Sequence, residues 1–203
     1  MTSPVMLSET PSSESTSGSS DRSVIFYTVI ALGIALFIRF FVAAPYIVSG
    51  SSMEPNFYDW HYLIVDRVSY YVTGPQRGDV VVLDLPEDTS RALIKRIIGL
   101  PGETVVLNGP NVIIINAQHP QGFTLKEPYL DPNDIGGATN MRVTLKQGEY
   151  FVLGDNRKVS ADSRLWGTLP RADIVGRVLL RLYPFNTLSI LPAQARYDES
   201  SKI

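Results

Sequence analysis

The 203-residue sequence contains no cysteine and only two histidines. The absence of cysteine excludes a thiol nucleophile, disulfide bonds, thiolate zinc sites and iron–sulfur clusters. Eighteen basic residues against twenty acidic ones give a net charge of −2, and no stretch concentrates the basic residues. The charge therefore points neither to nucleic acid nor to an anionic lipid surface as the partner. The scattered carboxylates show no metal-ligand spacing.

The rest of the composition suits one globular domain with appendages, because 44% of the residues are hydrophobic and 19% are charged. Residues 1–22 are rich in serine and threonine and are predicted to be a disordered polar tail. An uncharged segment runs from Ser23 to Ile38, and its apolar character continues past Arg39 to Ala44. About 21 such residues in a helix span roughly 30 Å. Residues 23–44 are therefore predicted to be a transmembrane helix.

The alternative for this segment is a cleaved secretory signal, because Ala43-Ala44 resembles the end of a cleavage site. Against it, few basic residues precede the core, which exceeds the roughly 7–15 residues of a signal. Arg22 precedes the span, whereas residues 45–66 contain no lysine or arginine. This asymmetry favours a cytoplasmic N-terminus and a domain on the extracytoplasmic side.

After the span, short apolar runs alternate with Gly, Pro and Asn, and no helical periodicity is sustained beyond residue 60. This pattern predicts a mainly β domain over residues 45–190, followed by a C-terminal tail at 191–203. Asn108-Gly109 predicts a hairpin turn, and residues 116–140 are predicted to leave the sheet as a long loop. The predicted strands are Tyr62–Val65, Asp79–Leu85, Ala92–Ile98, Thr104–Leu107, Val112–Ile115, Met141–Leu145, Glu149–Leu153 and Ile174–Tyr183.

One short stretch after the span is Val48-Ser49-Gly50-Ser51-Ser52-Met53-Glu54-Pro55. Its small residues and hydroxyls suit a loop that presents a serine nucleophile, although they also suit an ordinary turn. A serine nucleophile needs a base. His61 lies in an aromatic segment and His119 in a Pro/Gly loop, and both are poor candidates for that base.

Lys95 is the remaining candidate base, because it interrupts the apolar strand Ala92–Ile98. Strand alternation puts Lys95 on one face with Leu93 and Ile97. Burial on such a face disfavours the ammonium and lowers the lysine pKa from about 10.4, so the amine can accept a proton near neutral pH. The alternative is an edge-strand lysine whose amine reaches solvent and deters aggregation.

A dense polar loop, residues 154–164, follows the apolar strand Tyr150–Leu153. Within it, a serine such as Ser160 can hydrogen-bond an ammonium and orient it, and Asp162 can pair with Arg164. The other interpretation is a solvated turn, although surface turns rarely collect so many charged and hydroxyl side chains.

These segments together resemble the type I signal peptidases, a family of membrane-anchored Ser–Lys endopeptidases, from the apolar span to about residue 185. The first segment alone also resembles the serine segment of self-cleaving Ser–Lys repressors. Four ordered boxes carry the resemblance: Ser52-Met53-Glu54-Pro55; Arg77-Gly78-Asp79-Val80-Val81; Lys95-Arg96-Ile97-Ile98-Gly99-Leu100-Pro101-Gly102-Glu103; and Gly154-Asp155-Asn156-Arg157 with Ser160-Ala161-Asp162-Ser163-Arg164.

The resemblance implies that Ser52 is the nucleophile and Lys95 the general base. It implies that Ser160 orients Lys95 and that Asp162 and Arg164 hold their loop. The implied fold is a twisted, mostly antiparallel sheet whose apolar surface meets the bilayer. The implied partners are signal-peptide-bearing preproteins and the lipid bilayer, with no nucleic acid, metal or cofactor.

The family's substrate lies beside strands that correspond to residues 48–50 and 93–95. The resemblance therefore implies that Val48, Gly50, Phe57 and Ile94 bind substrate, in shallow pockets that prefer Ala-X-Ala before the scissile bond. Gly50 departs from the serine whose hydroxyl, in many members, helps to bind the oxyanion. The second oxyanion donor is therefore not assigned.

Two other functions stay open. A self-cleaving regulator would need a DNA-binding domain and an internal scissile segment, which residues 1–45 do not suggest. A membrane-tethered β module that acts by binding alone would give no reason for a lysine on an apolar face. The membrane itself is open between a plasma membrane, with the domain on its outer or periplasmic side, and a thylakoid membrane, with the domain in the lumen.

Overall fold

The computed structural model describes residues 18–37, 42–86, 88–133, 136 and 139–197. The chain divides into two compact units, Met1–Ile38 and Arg39–Ile203. The first unit contains helix α1 (Gly18–Phe37), whose side chains from Ser23 to Leu36 are exposed. Within the described residues, no helix combines the length and the apolar character needed to cross a membrane.

The N-terminal predictions are only partly covered by the described residues. Residues 1–17 of the predicted tail lie outside them, and residues 18–22 are helical. The predicted helix end at Ala44 is wrong, because Ala43 and Ala44 lie in a strand and pair with Asp66 and Val65. Pro45 explains this difference, since the residue before a proline is driven out of the helical region into an extended conformation.

The second unit is mainly β and antiparallel, as predicted. The strands are β1 (Ala43–Ile47), β2 (Tyr62–Asp66), β3 (Val80–Leu85), β4 (Asp88–Gly99), β5 (Thr104–Gly109), β6 (Asn111–Ile115), β7 (Phe123–Thr124), β8 (Thr139–Thr144), β9 (Glu149–Leu153), β10 (Leu169–Pro170), β11 (Ile174–Tyr183) and β12 (Ser189–Ile190). One sheet has the order β1-β2-β11-β3-β4-β9-β10, with β12 paired to β11, and a second has the order β7-β6-β5-β8. The short helices are α2 (Ser69–Val72) and α3 (Ser163–Trp166), with 3₁₀ turns at Arg171–Asp173 and Phe185–Thr187.

All eight predicted strands are present, with ends that differ by a few residues. The predicted hairpin joins β5 to β6, but Asn108 pairs with Asn111, so the two loop residues are Gly109 and Pro110. Gly109 has φ of 57°, the left-handed value that the first position of a tight hairpin turn requires. The turn therefore lies one residue beyond the predicted Asn108-Gly109.

The central strands β3 and β4 separate two packed faces. Val80, Val82 and the half-buried Ile94 contribute to one apolar cluster, which also contains Met53 and Phe57. Alternate residues of the same strands face the other cluster, where Leu93 and Ile97 pack with Val81 and Leu83. The alternation predicted for Ala92–Ile98 is thus confirmed at Leu93, Ile94 and Ile97.

Residues 191–197, the described part of the predicted C-terminal tail, pack against the domain. Gln194 Nε2 donates to Asp79 Oδ1 at 3.1 Å, and the Ala195 amide donates to the Gly78 carbonyl at 3.4 Å. A Cβ at Gly78 would lie 2.0 Å from the Ala195 oxygen. This close approach requires glycine in the Arg77–Val81 box. Residues 198–203 lie outside the described residues.

Candidate active site

The segment that carries Ser52 is anchored at both ends. Before Ser52, the backbone of Val48 pairs with residues 60 and 61. The Val48 amide donates to the His61 carbonyl at 2.9 Å, and the Trp60 amide donates to the Val48 carbonyl at 3.0 Å. After Ser52, Met53 and Phe57 are fully buried. Phe57 closes a helical turn by donating its amide to the Met53 carbonyl at 2.9 Å. Burial of the next residue thus fixes the backbone at Ser52.

Lys95 lies in the middle of β4, opposite Val81 of β3, and only 2% of its surface is exposed. Its Nζ lies 2.7 Å from Ser52 Oγ. The amine also donates to the carbonyl of Ile94 at 2.9 Å. The structure therefore brings the two predicted residues into hydrogen-bond contact, and it excludes the alternative of a solvated edge-strand lysine.

The electrostatic environment of Lys95 favours the neutral amine. The pKa of Lys95 is lowered from 10.5 to about 8; burial is the largest cause, and the positive charge of Arg164 acts in the same direction. The carboxylates of Asp162 and Asp155 act in the opposite direction. Because desolvation dominates, a substantial fraction of Lys95 is neutral at mildly alkaline pH.

The polar loop at residues 154–164 is built around Asp162, which is fully buried. Its carboxylate accepts from the Gly154 amide at 3.0 Å and caps α3 by accepting from the Arg164 amide. Two guanidinium nitrogens of Arg164, Nε and Nη2, donate to the same carboxylate, each at 2.8 Å. The predicted pairing of Asp162 with Arg164 is confirmed.

This loop contacts the nucleophile segment directly. The Asn156 amide donates to the Ser52 carbonyl at 3.0 Å. A Cβ added to Gly154 would lie 2.5 Å from that carbonyl oxygen and 2.2 Å from Ser160 Oγ. The backbone at Gly154 therefore fills the space between Ser52 and Ser160, and only glycine fits there.

Ser160 does not make the hydrogen bond to Lys95 that the sequence comparison predicts. Its hydroxyl is buried, and no group among the described residues is its hydrogen-bond partner. The side chain makes no such bond because it lies against Gly154. The backbone amide of Ser160 donates to the Asn156 carbonyl at 3.1 Å. Ser160 packs beside the site without orienting the amine.

A cavity of about 90 Å³ opens beside the two residues. Of the predicted substrate-binding residues, Val48 and Ile94 line it, whereas Phe57 is fully buried in the core below. The remaining lining residues are Tyr46, Ile47, Ser49, Ser52, Leu63, Val82, Ala92, Leu93 and Lys95. The cavity is thus small, mostly apolar and open to both Ser52 and Lys95.

Gly50 lies between the lining residues Ser49 and Ser52 in the sequence, but it does not itself line the cavity. Its φ of 97° is in the left-handed region, and its amide donates to the Asp59 carboxylate. A residue with a side chain would be strained in this conformation, although a Cβ would meet no other atom. The conformation explains why glycine stands here, and the second oxyanion donor stays unassigned.

The two histidines lie apart from this chemistry. His61 Nδ1 accepts from the Tyr58 amide at 3.3 Å, and burial lowers the pKa of His61. His119 packs its ring edge-on against Phe123, with centroids 4.9 Å apart. In the part of the chain that the structure describes, no cluster of three or more His, Asp or Glu side chains is arranged to hold a metal ion.

Comparison with known proteins identifies the family. Residues 22–183 match the family described as "Signal peptidase, peptidase S26". The chain belongs to this signal peptidase family. The match begins before the apolar segment and includes all four boxes, so the resemblance inferred from the sequence is confirmed.

Named relatives cover most of the chain. A probable signal peptidase I-1 of Synechocystis sp. is 40% identical over a 164-residue alignment that covers 77% of this chain and 79% of that protein. Signal peptidase I of Leptolyngbya laminosa is 36% identical over 184 residues, covering 87% and 84% respectively. Signal peptidase I of Bacillus licheniformis is 36% identical over 169 residues, covering 79% and 87%. The chain is therefore similar to signal peptidase I along most of its length.

Sequence reasoning missed Arg96, which lies next to the lysine in this signal peptidase. Arg96 is fully buried, and its Nε and Nη2 donate to the two oxygens of Asp155 at 2.8 and 2.6 Å. Its Nη1 donates to the carbonyls of Gly78 and Ala193 at 2.9 and 2.6 Å. The sequence did contain a signal for this pair, because Arg96 is a second cation in the apolar run Ile94–Ile98. A guanidinium buried in such a strand needs a carboxylate partner.

Proposed function

We propose that this signal peptidase cleaves peptide bonds with Ser52 as nucleophile and Lys95 as general base. The observation that carries the proposal is the 2.7 Å contact between Lys95 Nζ and Ser52 Oγ, made by an amine that is almost fully buried. A buried amine with a pKa of about 8 can accept a proton at working pH, which an exposed lysine cannot do. Asp162 and Arg164 support the pair by fixing the loop that contacts Ser52.

In the first half of the reaction, neutral Lys95 takes the proton from Ser52 as Oγ attacks the carbonyl carbon of the scissile bond. The ammonium that results then gives its proton to the departing amine. The C–N bond breaks, and the acyl group stays on Ser52 as an ester. Lys95 is again neutral at this point.

In the second half, Lys95 takes a proton from a water molecule that attacks the ester carbonyl. The C–O bond to Ser52 breaks, and the ammonium returns the proton to Oγ.

The negatively charged oxygen that forms in each half of the reaction needs hydrogen-bond donors. The Ser52 amide suits this role, because it donates to no group in the described residues. Loss of one such donor costs about 2.7–4 kcal/mol, so a water or the Ser51 hydroxyl is expected to replace the serine absent at position 50.

The substrates we propose are preproteins with small residues, typically Ala-X-Ala, before the scissile bond. The cavity beside Ser52 supports this preference, because its volume is about 90 Å³ and Val48, Ile94 and Leu63 line it. Alanine side chains suit such a pocket, whereas a large side chain would have to displace buried strand residues. Phe57 contributes indirectly, because it belongs to the same buried apolar cluster as Val48.

We also propose that the N-terminal segment anchors the enzyme in a membrane, with residues 45–197 on the extracytoplasmic side. The apolar sequence runs from Val24 to Ala44 and extends past the end of α1. The described side chains of α1 are exposed on all sides, for example Val24, Phe26 and Leu32 at about 60%. A helix that is apolar all round suits a lipid environment better than water. The anchor would hold the enzyme near membrane-inserted preproteins.

The experiment that tests the proposed function uses the full chain in detergent with a labelled preprotein that ends its signal in Ala-X-Ala. We expect one product, cut after the second alanine, while the enzyme itself stays intact. Cleavage of the chain alone would favour a self-cleaving regulator. Binding of the preprotein without cleavage would favour a module that acts by binding.

A further inference from the structure

We infer that Asn56 is a positioning residue that holds the Ser52 segment against the segment that carries Lys95. The inference rests on the proposed function, because it concerns the geometry of the proposed nucleophile and base. Asn56 follows Ser52 by four residues and belongs to the same turn, since its amide donates to the Met53 carbonyl at 3.0 Å. No feature of the four boxes points to it.

The side-chain amide of Asn56 joins two parts of the molecule that are distant in sequence. Its Nδ2 donates to Asp155 Oδ2 at 2.8 Å and to the backbone carbonyl of Tyr129 at 2.8 Å. A primary amide has two N–H donors on one nitrogen, which matches two acceptors in this arrangement. An aspartate could not supply them, and its charge would lie beside the Asp155 carboxylate.

Asp155 connects Asn56 to the strand of the base. Both oxygens of Asp155 accept from Arg96, which directly follows Lys95 in β4. The side chains of Arg96 and Asp155 are fully buried. A buried, bidentate ion pair has a fixed geometry, so Asp155 gives Asn56 a rigid point of attachment to β4.

Tyr129 contacts Asn56 from the long loop between β7 and β8. Its ring covers the Arg96 guanidinium at 3.8 Å, and its carbonyl accepts the second hydrogen of Asn56. Arg181 holds the opposite side, because its Nη1 donates to the Asn56 backbone carbonyl at 2.8 Å. Asn56 is therefore held by the polar loop, the long loop and β11 together.

The consequence for the reaction is geometric. Besides the Asn156 amide, which holds the Ser52 carbonyl, the Asn56 side chain links the nucleophile segment to the Asp155–Arg96 pair. Without this link, the turn from Ser52 to Asn56 can shift relative to β4. A displacement of about 1 Å at the reacting atoms costs on the order of 100-fold in rate. Asn56 touches neither substrate nor reacting atoms and acts only through this placement.

The test compares the wild type with Asn56→Ala and the isosteric Asn56→Asp, each as the full chain in detergent with the labelled preprotein. Asn140→Ala is the matched control, because Asn140 is exposed and lies in β8 of the second sheet. We expect kcat per folded molecule to fall about 10- to 100-fold in both Asn56 variants. KM should stay within about twofold of the wild type, because the cavity that binds substrate is unchanged. Thermal unfolding supplies the folded fraction.

The outcomes separate this inference from the proposed function. If the wild type cleaves the preprotein and the Asn56 variants keep its kcat, or lose only stability, the positioning role is overturned. Loss of folding in both variants would also overturn it, since Asn56 would then be a determinant of stability. If the wild type and Asn140→Ala do not cleave at all, the proposed function fails first.

Discussion

The Nζ of Lys95 lies 2.7 Å from the Oγ of Ser52 although the residues are 43 positions apart. Three features of the sequence produce this contact: an apolar strand that buries Lys95, a turn that buries Met53 beside Ser52, and a glycine at position 154 that lets the loop approach. Removing any one of them should affect the reaction in a different, measurable way.

The pH dependence of cleavage should report the lysine. A general base works in its neutral form, and burial lowers the pKa of Lys95 to about 8. Below that pH the ammonium predominates, so kcat/KM should rise about tenfold per pH unit and level off above about pH 8. Initial rates with the labelled preprotein from pH 5 to pH 10 give this profile. A flat profile between pH 6 and pH 9 would contradict a lysine base.

The buried amine should also reduce the stability of the fold. The pKa of Lys95 falls from 10.5 in an unfolded chain to about 8 in the folded one. Between these values the unfolded chain binds more protons, so stability rises with pH across this window and the full penalty applies below it. A pKa difference of about 2.5 corresponds to about 3 kcal/mol.

Lys95→Met should therefore be inactive yet more stable than the wild type at pH 7, by an amount below this limit because two hydrogen bonds are lost. Its advantage should shrink as the pH approaches 10. Thermal unfolding of both proteins at pH 7 and at pH 9.5 makes the comparison. If the methionine variant were less stable at both pH values, burial of the Lys95 ammonium would not reduce the stability of the fold.

Gly154→Ala should reduce activity through the backbone of Ser52. The new Cβ would lie 2.5 Å from the Ser52 carbonyl oxygen, so the nucleophile segment must move. We expect kcat to fall on the order of 100-fold. Gly148→Ala is the control, because a Cβ at Gly148 meets no other atom and only its φ of 78° is unfavourable. That variant should lose about 1 kcal/mol of stability and keep its kcat. Equal kcat values for the two variants would contradict the close approach.

Much of the fold follows from the sequence because its short apolar runs are separated by Gly, Pro and Asn. The eight predicted strands are present, and the alternation in Ala92–Ile98 places Leu93 and Ile97 in one cluster and Ile94 in the other. The N-terminal boundary was wrong because hydropathy does not distinguish the end of a helix from an apolar strand at Ala43–Ile47. Pro45 was the local signal that separates them.

The candidate site was predicted at its two central residues and less well around them. Ser52 lies in a short segment of small and hydroxyl residues, and a serine nucleophile needs a base. Lys95 meets that need because it interrupts an apolar strand, and the two residues are in contact. The hydroxyl of Ser160 and the burial of Phe57 depend on the packing of segments distant in sequence, which no local pattern reports. The same is true of Asn56, whose acceptors come from two other loops.

The C-terminal segment shows the same limit. Residues 191–197 have the composition of a tail, because they include one proline, one glutamine, one arginine and two alanines. Their structure depends on acceptors and donors supplied elsewhere, including the Arg96 guanidinium at the Ala193 carbonyl. Pairing of this kind is set by tertiary contacts and leaves no periodic pattern in the sequence.

The central claim is that a neutral amine at position 95 activates Ser52, and replacing that amine tests it most directly. Lys95→Arg keeps a positive charge but stays protonated at any working pH, so it should not cleave the preprotein. Lys95→Cys should also be inactive. Because the chain has no other cysteine, 2-bromoethylamine can convert this residue alone into an amine of nearly the same length.

The measurement is cleavage of the labelled preprotein by Lys95→Cys before and after this alkylation, with wild type treated in the same way as control. We expect activity to return on alkylation, with a pH profile displaced to lower pH because the thioether lowers the pKa of the new amine. Turnover by unmodified Lys95→Cys or by Lys95→Arg at a rate close to that of the wild type would contradict the role of Lys95 as the base.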